Sequence, residues 1–527
     1  MPTLTPRRRT AVLITVCLAV LAINLDTTIV NVALPSLSRQ LHAGTATMQW
    51  VVDGYALAFA ALVLAGGSIG DRLGRRPMLL AGLAGFAAAS VGAGLSSTAG
   101  ELIVWRFVMG AFAAAIYPTT LSIITNAFPD RAERAKAIGV WGAVTGLGVA
   151  AGPVTGGLLL AHFAWESVFW ALVPVAAIAA GLAAWLVPES KAPAAGRIDL
   201  PGLIASSAAI GVLVYTVIEA PSRGWLSAAS LAGFAATAVA AAVFVAIERR
   251  SAHPMIDVSL FKVPAFSAAS ASVTISFFAL YGFIFLVTQY MQIVRGWDTL
   301  STGLRILPVA AAIGAGSAFA PRLVARYGTR GIVVTGLLMF AAALAWIAFS
   351  AQGQPYAEIA AEMVLMGTGL GLTTTPATES ILSVLPPAKA GVGSAVNDAT
   401  REAGGTLGVA VIGSIFSSIY VHHLAGTAVA QLPAAAAQAA RGSVAAAMTI
   451  AQHAPATAAP ALTHAVSTSF MTAFTVACLA GAAVCALGAL AATRLPGRQA
   501  PGPVAALAAH LVGNQPMNNN TAAAEVG

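Results

Sequence analysis

The stretch GGSIGDRLGRRP, Gly66–Pro77, is a short charged segment between two long apolar runs. The runs cover residues 47–70 and 78–98, and a helix that crosses a bilayer needs about 20 mostly apolar residues. The segment between them therefore predicts a tight turn at the membrane surface. Because its arginines favour the cytoplasmic side, the two helices are expected to meet there.

Composition places the whole chain in a membrane. Of its 527 residues, 58% are hydrophobic and only 9% are charged, whereas soluble proteins carry about 25% charged residues. The net charge of +8 is spread in short clusters between apolar runs, which indicates lipid rather than nucleic acid as the partner. The three cysteines have neither disulfide nor metal spacing, so we expect no metal site and no cofactor.

The apolar runs give fourteen predicted spans, and they are too long and too uniform for membrane strands. We place them at residues 11–35, 47–70, 78–98, 101–127, 136–160, 167–187, 199–219, 225–247, 265–293, 301–321, 331–350, 356–384, 392–421 and 466–494. With both termini in the cytoplasm, 20 of the 27 Lys and Arg residues lie inside and four lie outside. This bias supports an all-α integral membrane protein with an even number of spans.

A second turn resembles the first. The stretch FAPRLVARYGTRGIV, residues 319–333, again places a basic residue, Gly and Arg at a cytoplasmic turn. Transporters are often built from such repeats. We therefore predict a six-helix bundle over 1–198, an inserted two-helix hairpin over 199–250 and a second six-helix bundle over 251–500. The second bundle is expected to carry a long outer loop, 422–465, and the tail 501–527 is expected to be disordered and cytoplasmic.

Several charged residues lie inside predicted spans, where they are costly and usually face a cavity or a partner. Asp26 lies in LDTTIVNVALP, Leu25–Pro35, and Asp53 and Arg106 lie at similar depths in the second and fourth spans. Asp26 is expected somewhat deeper. We expect an Asp–Arg pair within this bundle, either as part of proton coupling or as a static ion pair.

The second bundle carries Asp398, Arg401 and Glu402 in one predicted span. Asp398 and Glu402 are four residues apart and share a helix face. Apolar surroundings favour a neutral carboxyl and a nearby cation favours a charged one, so such a group is suited to carry a proton. A solvated carboxylate in the first helical turn is the alternative for Asp398. Three other acids near predicted helix ends are expected to be solvated: Glu219, Glu362 and Glu379.

Motifs in order along the chain resemble the major facilitator superfamily, and specifically its fourteen-helix drug:proton antiporters of the multidrug efflux type. The signature loop G-x-x-x-D-R-x-G-R-[RK] is matched by Gly67, Asp71, Arg72, Gly74, Arg75 and Arg76. The fourth-helix motif is matched by Arg106 and Gly110, and the first-helix motif by LDTTIVNVALP. The fifth-helix antiporter motif G-x-x-x-G-P-x-x-G-G is matched by Gly148, Gly152, Pro153, Gly156 and Gly157.

The stretch AWESVFWALVP, residues 164–174, departs from the family pattern W-R-W-x-F-x-x-N-x-P. Trp165, Phe169 and Pro174 fit, but Glu166, Ser167 and Leu172 do not. No role is carried over to that outer turn.

The resemblance implies a major facilitator fold, two six-helix bundles with an inserted hairpin, in a bacterial cytoplasmic membrane. It also implies that the signature loop is a charge latch, that the glycine–proline face seals or hinges one access state, and that Asp398 senses protons or substrate. From the residues alone, glycines that recur every four positions put small residues on one helix face. Ordinary tight helix packing is the alternative to the sealing or hinge role of this face. Pro153 bends the helix.

We therefore predict a proton-coupled exporter of amphipathic or cationic drugs or metabolites that works by alternating access. Asp26, Asp53, Arg106, Asp398 and Glu402 are its candidate coupling or substrate residues, and we expect a monomer. No ATP-binding loop or catalytic signature is present in the sequence, which argues against an enzyme.

Four alternatives remain open: a narrow-specificity metabolite exporter, an uptake symporter, a polytopic membrane enzyme, and a receptor or scaffold. Sodium coupling also remains open. Aromatic and Met side chains that are candidates to line a substrate cavity are Trp50, Tyr55, Tyr117, Trp141, Phe277, Phe278, Tyr281, Phe285, Tyr290 and Met291.

Overall fold

The computed structural model describes residues 5–191, 199–251, 258–350, 353–384 and 390–497, and its regular secondary structure there is helical throughout. The first seven helices are α1 Pro6–Gln40, α2 Thr45–Leu73, α3 Arg75–Gly94, α4 Ala99–Ala127, α5 Arg131–His162, α6 Ser167–Trp170 and α7 Leu172–Leu186. Two follow as a hairpin: α8 Leu200–Arg223 and α9 Ala228–Arg250. The remainder are α10 Pro264–Gln289, α11 Thr299–Ser350, α12 Tyr356–Ser383, α13 Ala390–Ala425, α14 Ala434–Gly442, α15 Val444–His453 and α16 Ala459–Ala492.

The chain is a multi-pass membrane protein. Within the described residues, 12 helical segments are long and apolar enough to cross a bilayer. One of them, 299–349, is broken at Gly328, where φ is 81° and ψ is 157°. The 28-residue helix α12 follows it and is not among the 12. Fourteen crossings and cytoplasmic termini are compatible with this arrangement and stay predictions.

The long helices pack in two groups. Helices α1 to α7 pack on one another and form the N-terminal bundle, and α10 to α13 with α16 form the C-terminal bundle. Helix α8 contacts both α2 and α13, so the hairpin lies along the seam between the bundles. Helix α9 packs mainly on α8, and only 6% of its most apolar stretch is buried inside the protein. This exposure is expected for a helix that faces lipid. The predicted domain boundaries stay predictions.

The two repeated turns have the same architecture. Gly74 separates α2 from α3 with φ 120°, and Gly328 breaks α11 with φ 81°. Only glycine adopts such backbone conformations at low cost. Just after each break, an arginine backbone N–H donates to the segment that follows the last helix of its own bundle: Arg75 N to Ser190 O at 3.0 Å, and Arg330 N to Pro496 O at 3.2 Å. The two similar turns in the sequence therefore make the same kind of contact in the two bundles.

The predicted outer loop 422–465 is folded rather than irregular. It contains α14 and α15, and Tyr420 donates its hydroxyl hydrogen to the carbonyl of Ala440 at 3.2 Å. The side chain of Ser443 meets that of Ser38 in α1 at 3.0 Å. We call residues 428–453 the cap. It lies on the side that the Lys and Arg distribution predicts to be outer, and it connects the two bundles there. The tail 501–527 lies outside the described residues.

The break at Gly328 is testable by substitution. An alanine there must adopt a backbone conformation that costs an L-residue about 1–3 kcal/mol. We expect Gly328→Ala to lower the melting temperature of the purified protein. Gly331→Ala is the matched control, because the nearest atom to its new Cβ is 4.0 Å away, and it should melt like the wild type. Equal melting of the two variants would contradict a strained turn at Gly328.

Candidate functional site

The centre of the N-terminal bundle holds a buried ion pair between Asp26 of α1 and Arg106 of α4. One guanidinium nitrogen, Nη1, lies 2.8 Å from Oδ1 and 2.7 Å from Oδ2 of Asp26. Asp26 is 0% exposed and Arg106 is 1% exposed. Arg106 Nε donates to the carbonyl of Val51 at 2.9 Å, and the guanidinium lies 4.5 Å from the ring centre of Tyr55. The guanidinium of Arg106 is therefore satisfied by groups from two other helices, α1 and α2.

The expected Asp–Arg pair is present with Asp26 as its acid, and Asp53, at a similar predicted depth to Arg106, is not part of it. Val51 and Tyr55 are four residues apart, so they share the face of α2 that meets Arg106. Asp53 lies between them in sequence and therefore points away from that face. It is 0% exposed, and neither of its carboxyl oxygens has a hydrogen-bond partner in the described part of the chain.

The face of α2 that carries Asp53 meets α13 of the C-terminal bundle. Gln49, one turn before Asp53, donates its Nε2 hydrogens to the carbonyls of Val409 and Ala410, each at 3.0 Å. The two helices run in opposite predicted directions, so one turn further along α2 corresponds to one turn earlier on α13. Thr406 lies there, 0% exposed, and its hydroxyl also lacks a partner among the described residues. Two unsatisfied polar groups therefore occupy the seam between the bundles.

The acidic residues of α13 form a more open cluster. Arg401 Nη1 lies 3.8 Å from Oδ1 of Asp398, a looser contact than that of Asp26 with Arg106. Asp398 is 6% exposed, so the solvated alternative for it is wrong. Arg401 and Glu402 are half-buried, and the Arg401 guanidinium lies 4.6 Å from the ring centre of Phe277.

Glu402 lies on the side of α13 that faces aromatic residues of both bundles. Tyr55 in α2, Tyr117 in α4 and Tyr281 in α10 all interact with its charge over a longer range than a hydrogen bond. A carboxylate among aromatic rings is a site that suits a flat organic cation.

An aromatic wall continues from this cluster into the N-terminal bundle. The ring centres of Tyr117 and Trp141 are 5.2 Å apart, and those of Phe59 and Tyr117 are 5.7 Å apart. Trp141 donates its ring N–H to the hydroxyl of Thr120 at 3.1 Å, which fixes the indole. Not all the expected aromatic residues meet here. Tyr290 stacks on Phe474 inside the C-terminal bundle, and Trp50 faces Tyr215 of the hairpin.

The glycines of the antiporter motif pack mainly against α1. A Cβ on Gly148 would lie 2.8 Å from Cβ of Asn24, and one on Gly152 would lie 2.9 Å from Cβ of Thr28. Gly156 contacts Ile29 in the same way, at 2.9 Å from Cγ1. This face therefore joins helices of one bundle, one of which carries Asp26.

The contact of this motif with the C-terminal bundle comes from its last residues. Thr299 of α11 donates its hydroxyl hydrogen to the carbonyl of Gly157 at 3.3 Å. A Cβ on Gly303 would lie 2.7 Å from the carbonyl carbon of Pro153, so the two backbones nearly touch. Pro153 and Gly157, rather than the regular glycine face, meet the partner bundle.

The signature loop contacts the rest of the N-terminal bundle. Arg75 Nη1 donates to the carbonyl of Ser122 at 3.2 Å, and Arg76 Nη2 donates to the carbonyl of Ala184. Gly67 packs against Pro118 at 3.3 Å, measured from a Cβ built on it. Arg72 also has a partner, and the side chain of Asp71 lies outside the description. The contacts described join helices of one bundle, so the latch role stays a prediction.

Removing one partner of the central ion pair should destabilise the protein. Asp26→Asn leaves a buried guanidinium without its counterion, which costs about 3–5 kcal/mol. We expect a large loss of yield and melting temperature. In the double variant Asp26→Asn with Arg106→Gln no charge is left buried, so it should be more stable than Asp26→Asn alone. Wild-type melting of Asp26→Asn would contradict the importance of the pair.

The packing of α5 on α1 can be tested with two glycines of the same helix. Gly152→Ala places a methyl group 3.0 Å from the backbone N of Ile29, and overpacking of this kind costs about 1–3 kcal/mol. Gly146→Ala is the control, since no described atom lies within 4 Å of its new methyl. We expect lower melting and slower transport for Gly152→Ala only. Equal behaviour would show that the motif has no packing role.

Comparison with known proteins identifies the family. Residues 16–409 match the model of the Major Facilitator Superfamily. The chain is 37% identical over 412 residues to multidrug resistance protein Stp of Mycobacterium tuberculosis, covering 78% of this chain and 76% of that one. It is 38% identical over 418 residues to multidrug efflux pump LfrA of Mycolicibacterium smegmatis, covering 79% and 83%.

A third relative and a solved structure agree. The chain is 34% identical over 409 residues to the tetracenomycin C resistance and export protein of Streptomyces glaucescens, covering 77% and 76%. The crystal structure of a bacterial homologue of the human lysosomal transporter Spinster superposes with a TM-score of 0.62 at 17% identity, covering 94% of this chain and 100% of that one. The chain is therefore a member of the Major Facilitator Superfamily, a membrane transporter rather than an enzyme.

Proposed function

We propose that the protein is a proton-coupled exporter of amphipathic or cationic drugs that works by alternating access. The names of its relatives support drug efflux, because Stp, LfrA and the tetracenomycin C protein are all named for resistance, efflux or export. Their organisms favour a bacterial cytoplasmic membrane. Fourteen spans, cytoplasmic termini and a monomeric state belong to the same proposal.

The observation that supports proton coupling most directly is that Asp53 is buried without a hydrogen-bond partner among the described residues. A carboxylate with no hydrogen bond and no counterion is very costly in an apolar interior, whereas a neutral carboxyl costs far less. Asp53 is 0% exposed with both oxygens unsatisfied. The site therefore suits Asp53 with its proton bound, and the carboxyl loses that proton only when the seam between α2 and α13 admits water.

The other carboxylates then take different roles in the proposal. Asp26 is held by Arg106 and maintains the geometry of the N-terminal bundle. Glu402 is half-buried and Asp398 is buried one turn earlier on the same face of α13. They are the candidates to bind a cationic substrate, because aromatic residues lie toward this face. Substrate and proton are linked because both change the charge on helices that meet at one seam.

Alternating access is supported by where the bundles touch. Gln292 donates its Nε2 hydrogen to the carbonyl of Val32 in α1 at 3.0 Å, near the predicted outer side, and the contacts of Pro153 and Gly157 with α11 lie there too. Toward the predicted inner side, a Cβ built on Gly142 or Gly146 of α5 would meet no described atom of another helix within 4 Å. This pattern favours a conformation that is closed outside.

The first experiment is on Asp53→Asn, which keeps the shape of a neutral carboxyl but carries no proton. In everted vesicles with an acidic lumen, a panel of cationic dyes and antibiotics should trigger proton release in the wild type. We expect Asp53→Asn to release no more protons than empty vesicles. It should still exchange labelled dye across the membrane without a gradient, since its substrate site is intact.

Glu379→Gln is the matched control, because it removes a carboxylate that is exposed to solvent in α12. It should behave like the wild type. Substrate-driven proton release that survives in Asp53→Asn would overturn the role of Asp53. A wild type that releases protons with no compound of the panel would overturn proton-coupled export of this class of substrate.

A further inference from the structure

A second buried carboxyl lies away from the central site, in the C-terminal bundle. Glu362 of α12 was expected to be solvated because it is close to the helix end, yet it is only 1% exposed. Gln354, in the loop before α12, donates its Nε2 hydrogen to Oε2 of Glu362 at 3.1 Å. A buried ionisable residue inside a membrane helix is by default a candidate functional group.

The surroundings of Glu362 include a small cavity. Its volume is about 10 Å³, close to what one water molecule occupies. It is lined by Tyr290, Gln354, Glu362, Phe474 and apolar side chains of α10, α11 and α12. The polar lining groups lie next to the loop that connects α11 to α12 on the predicted outer side. Glu362 is therefore one hydrogen bond away from the loop at the predicted outer surface.

Each element packed around Glu362 supplies a different group. The segment directly after α10 supplies Tyr290 and Arg295, and Nη1 of Arg295 lies 3.4 Å from the Tyr290 hydroxyl. Helix α16 supplies Cys478 together with Phe474. The lining residue of α11 is the apolar Ile347. Among these groups, Arg295 carries the positive charge and Glu362 is the carboxyl group.

A chain of contacts links Glu362 to the surface where the bundles meet. Arg295 Nη1 donates to the carbonyl of Gln354 at 2.8 Å, and Gln354 in turn bonds Glu362. Arg295 directly follows a π-helical turn, Tyr290–Val294. Gln292 of that turn makes the hydrogen bond to Val32 across the bundles. π-Helical turns are rare in proteins, and those that do occur are often found at functional sites.

We propose that Glu362 is a second proton-binding site, open to the outer solution, whose occupancy controls the outer contact between the bundles. When Glu362 is charged, its attraction for the Gln354 amide and for Arg295 holds the π-helical turn against α1. When Glu362 binds a proton, that attraction weakens and the contact of Gln292 with Val32 is released more often. The proposal adds a control to the exporter and does not require Asp53 to carry the coupled proton.

The test measures how readily the contact between Gln292 and Val32 opens, and it does not require transport of a substrate. Val32 is 0% exposed, so a cysteine introduced there by Val32→Cys reacts with a membrane-impermeant maleimide only when the contact opens. The native cysteines Cys17, Cys478 and Cys485 are 6%, 4% and 0% exposed and give the background. Labelling is followed in right-side-out vesicles at several outer pH values. Thr449→Cys, at an exposed position of the cap, corrects for the pH dependence of thiol chemistry.

We expect acidic outer solution to speed the corrected labelling of Val32→Cys by about fivefold or more, a typical size for coupling between two sites. Adding Glu362→Gln, which imitates the proton-bound form, should give the fast rate at every pH. Glu379→Gln, in the same helix but exposed, should leave the pH response of the wild type unchanged.

Three results would overturn the proposal. The first is a flat response with Glu362 present, and the second is a full response in Glu362→Gln. The third is a rate that follows sodium, exchanged for choline at fixed pH, instead of following pH. Gln354→Leu provides a second variant that leaves the carboxyl in place. It should abolish the response because it removes the bridge to Arg295, and a full response there would also contradict the proposed linkage.

Discussion

The ion pair of Asp26 with Arg106 is the interaction on which the N-terminal bundle depends. A guanidinium taken out of water is stable only if its charge and its donors are satisfied. Here the carboxylate comes from α1 and the carbonyl of Val51 comes from α2, together with the face of the Tyr55 ring. Since Arg106 itself is in α4, one side chain fixes the relative positions of three helices.

That arrangement needs very close packing of α4 on α2. Gly110 lies one turn after Arg106, and a Cβ there would lie 2.9 Å from the carbonyl carbon of Tyr55. The motif of an arginine followed four residues later by glycine therefore has a direct physical meaning. The glycine lets the two backbones approach, and the approach brings Arg106 to the Val51 carbonyl. The C-terminal bundle uses the same arrangement, because a Cβ on Gly408 of α13 would lie 2.8 Å from the carbonyl carbon of Phe278 in α10.

The fold could be predicted from the sequence because the lengths of the apolar runs and the charges between them are set by the bilayer. The pairing of Arg106 could not, because sequence gives the depth of a residue along a helix but not the direction of its side chain relative to a neighbouring helix. Asp53 and Arg106 have similar depths, yet Asp53 lies on the opposite face of α2. The signal that was available is the spacing of Gln49 and Asp53, which places both on the face toward α13.

Glu362 and the cap show a second limit of prediction from sequence. Position near a helix end indicates solvent only if no other element covers that end. Gln354 and helix α16 cover Glu362, and nothing in the local sequence of α12 reports them. The cap did carry a signal, since the run of alanines from Ala434 onward has high helix propensity. Its contact with Ser38 of α1 depends on tertiary structure alone.

The position of Asp53 explains why a proton would be linked to motion in the proposed cycle. The carboxyl lies in the seam between α2 and α13, where the bundles must separate if access alternates. While the seam is closed, the charged form has no partner, so the proton stays bound. Helix α8 covers this seam on the lipid side, since Ser414 of α13 donates to the carbonyl of Val217 at 2.8 Å and Trp225 of the hairpin donates to Ser418 at 3.0 Å. In the proposed cycle, water reaches Asp53 from the end of the seam that opens, and that end decides on which side of the membrane the proton is exchanged.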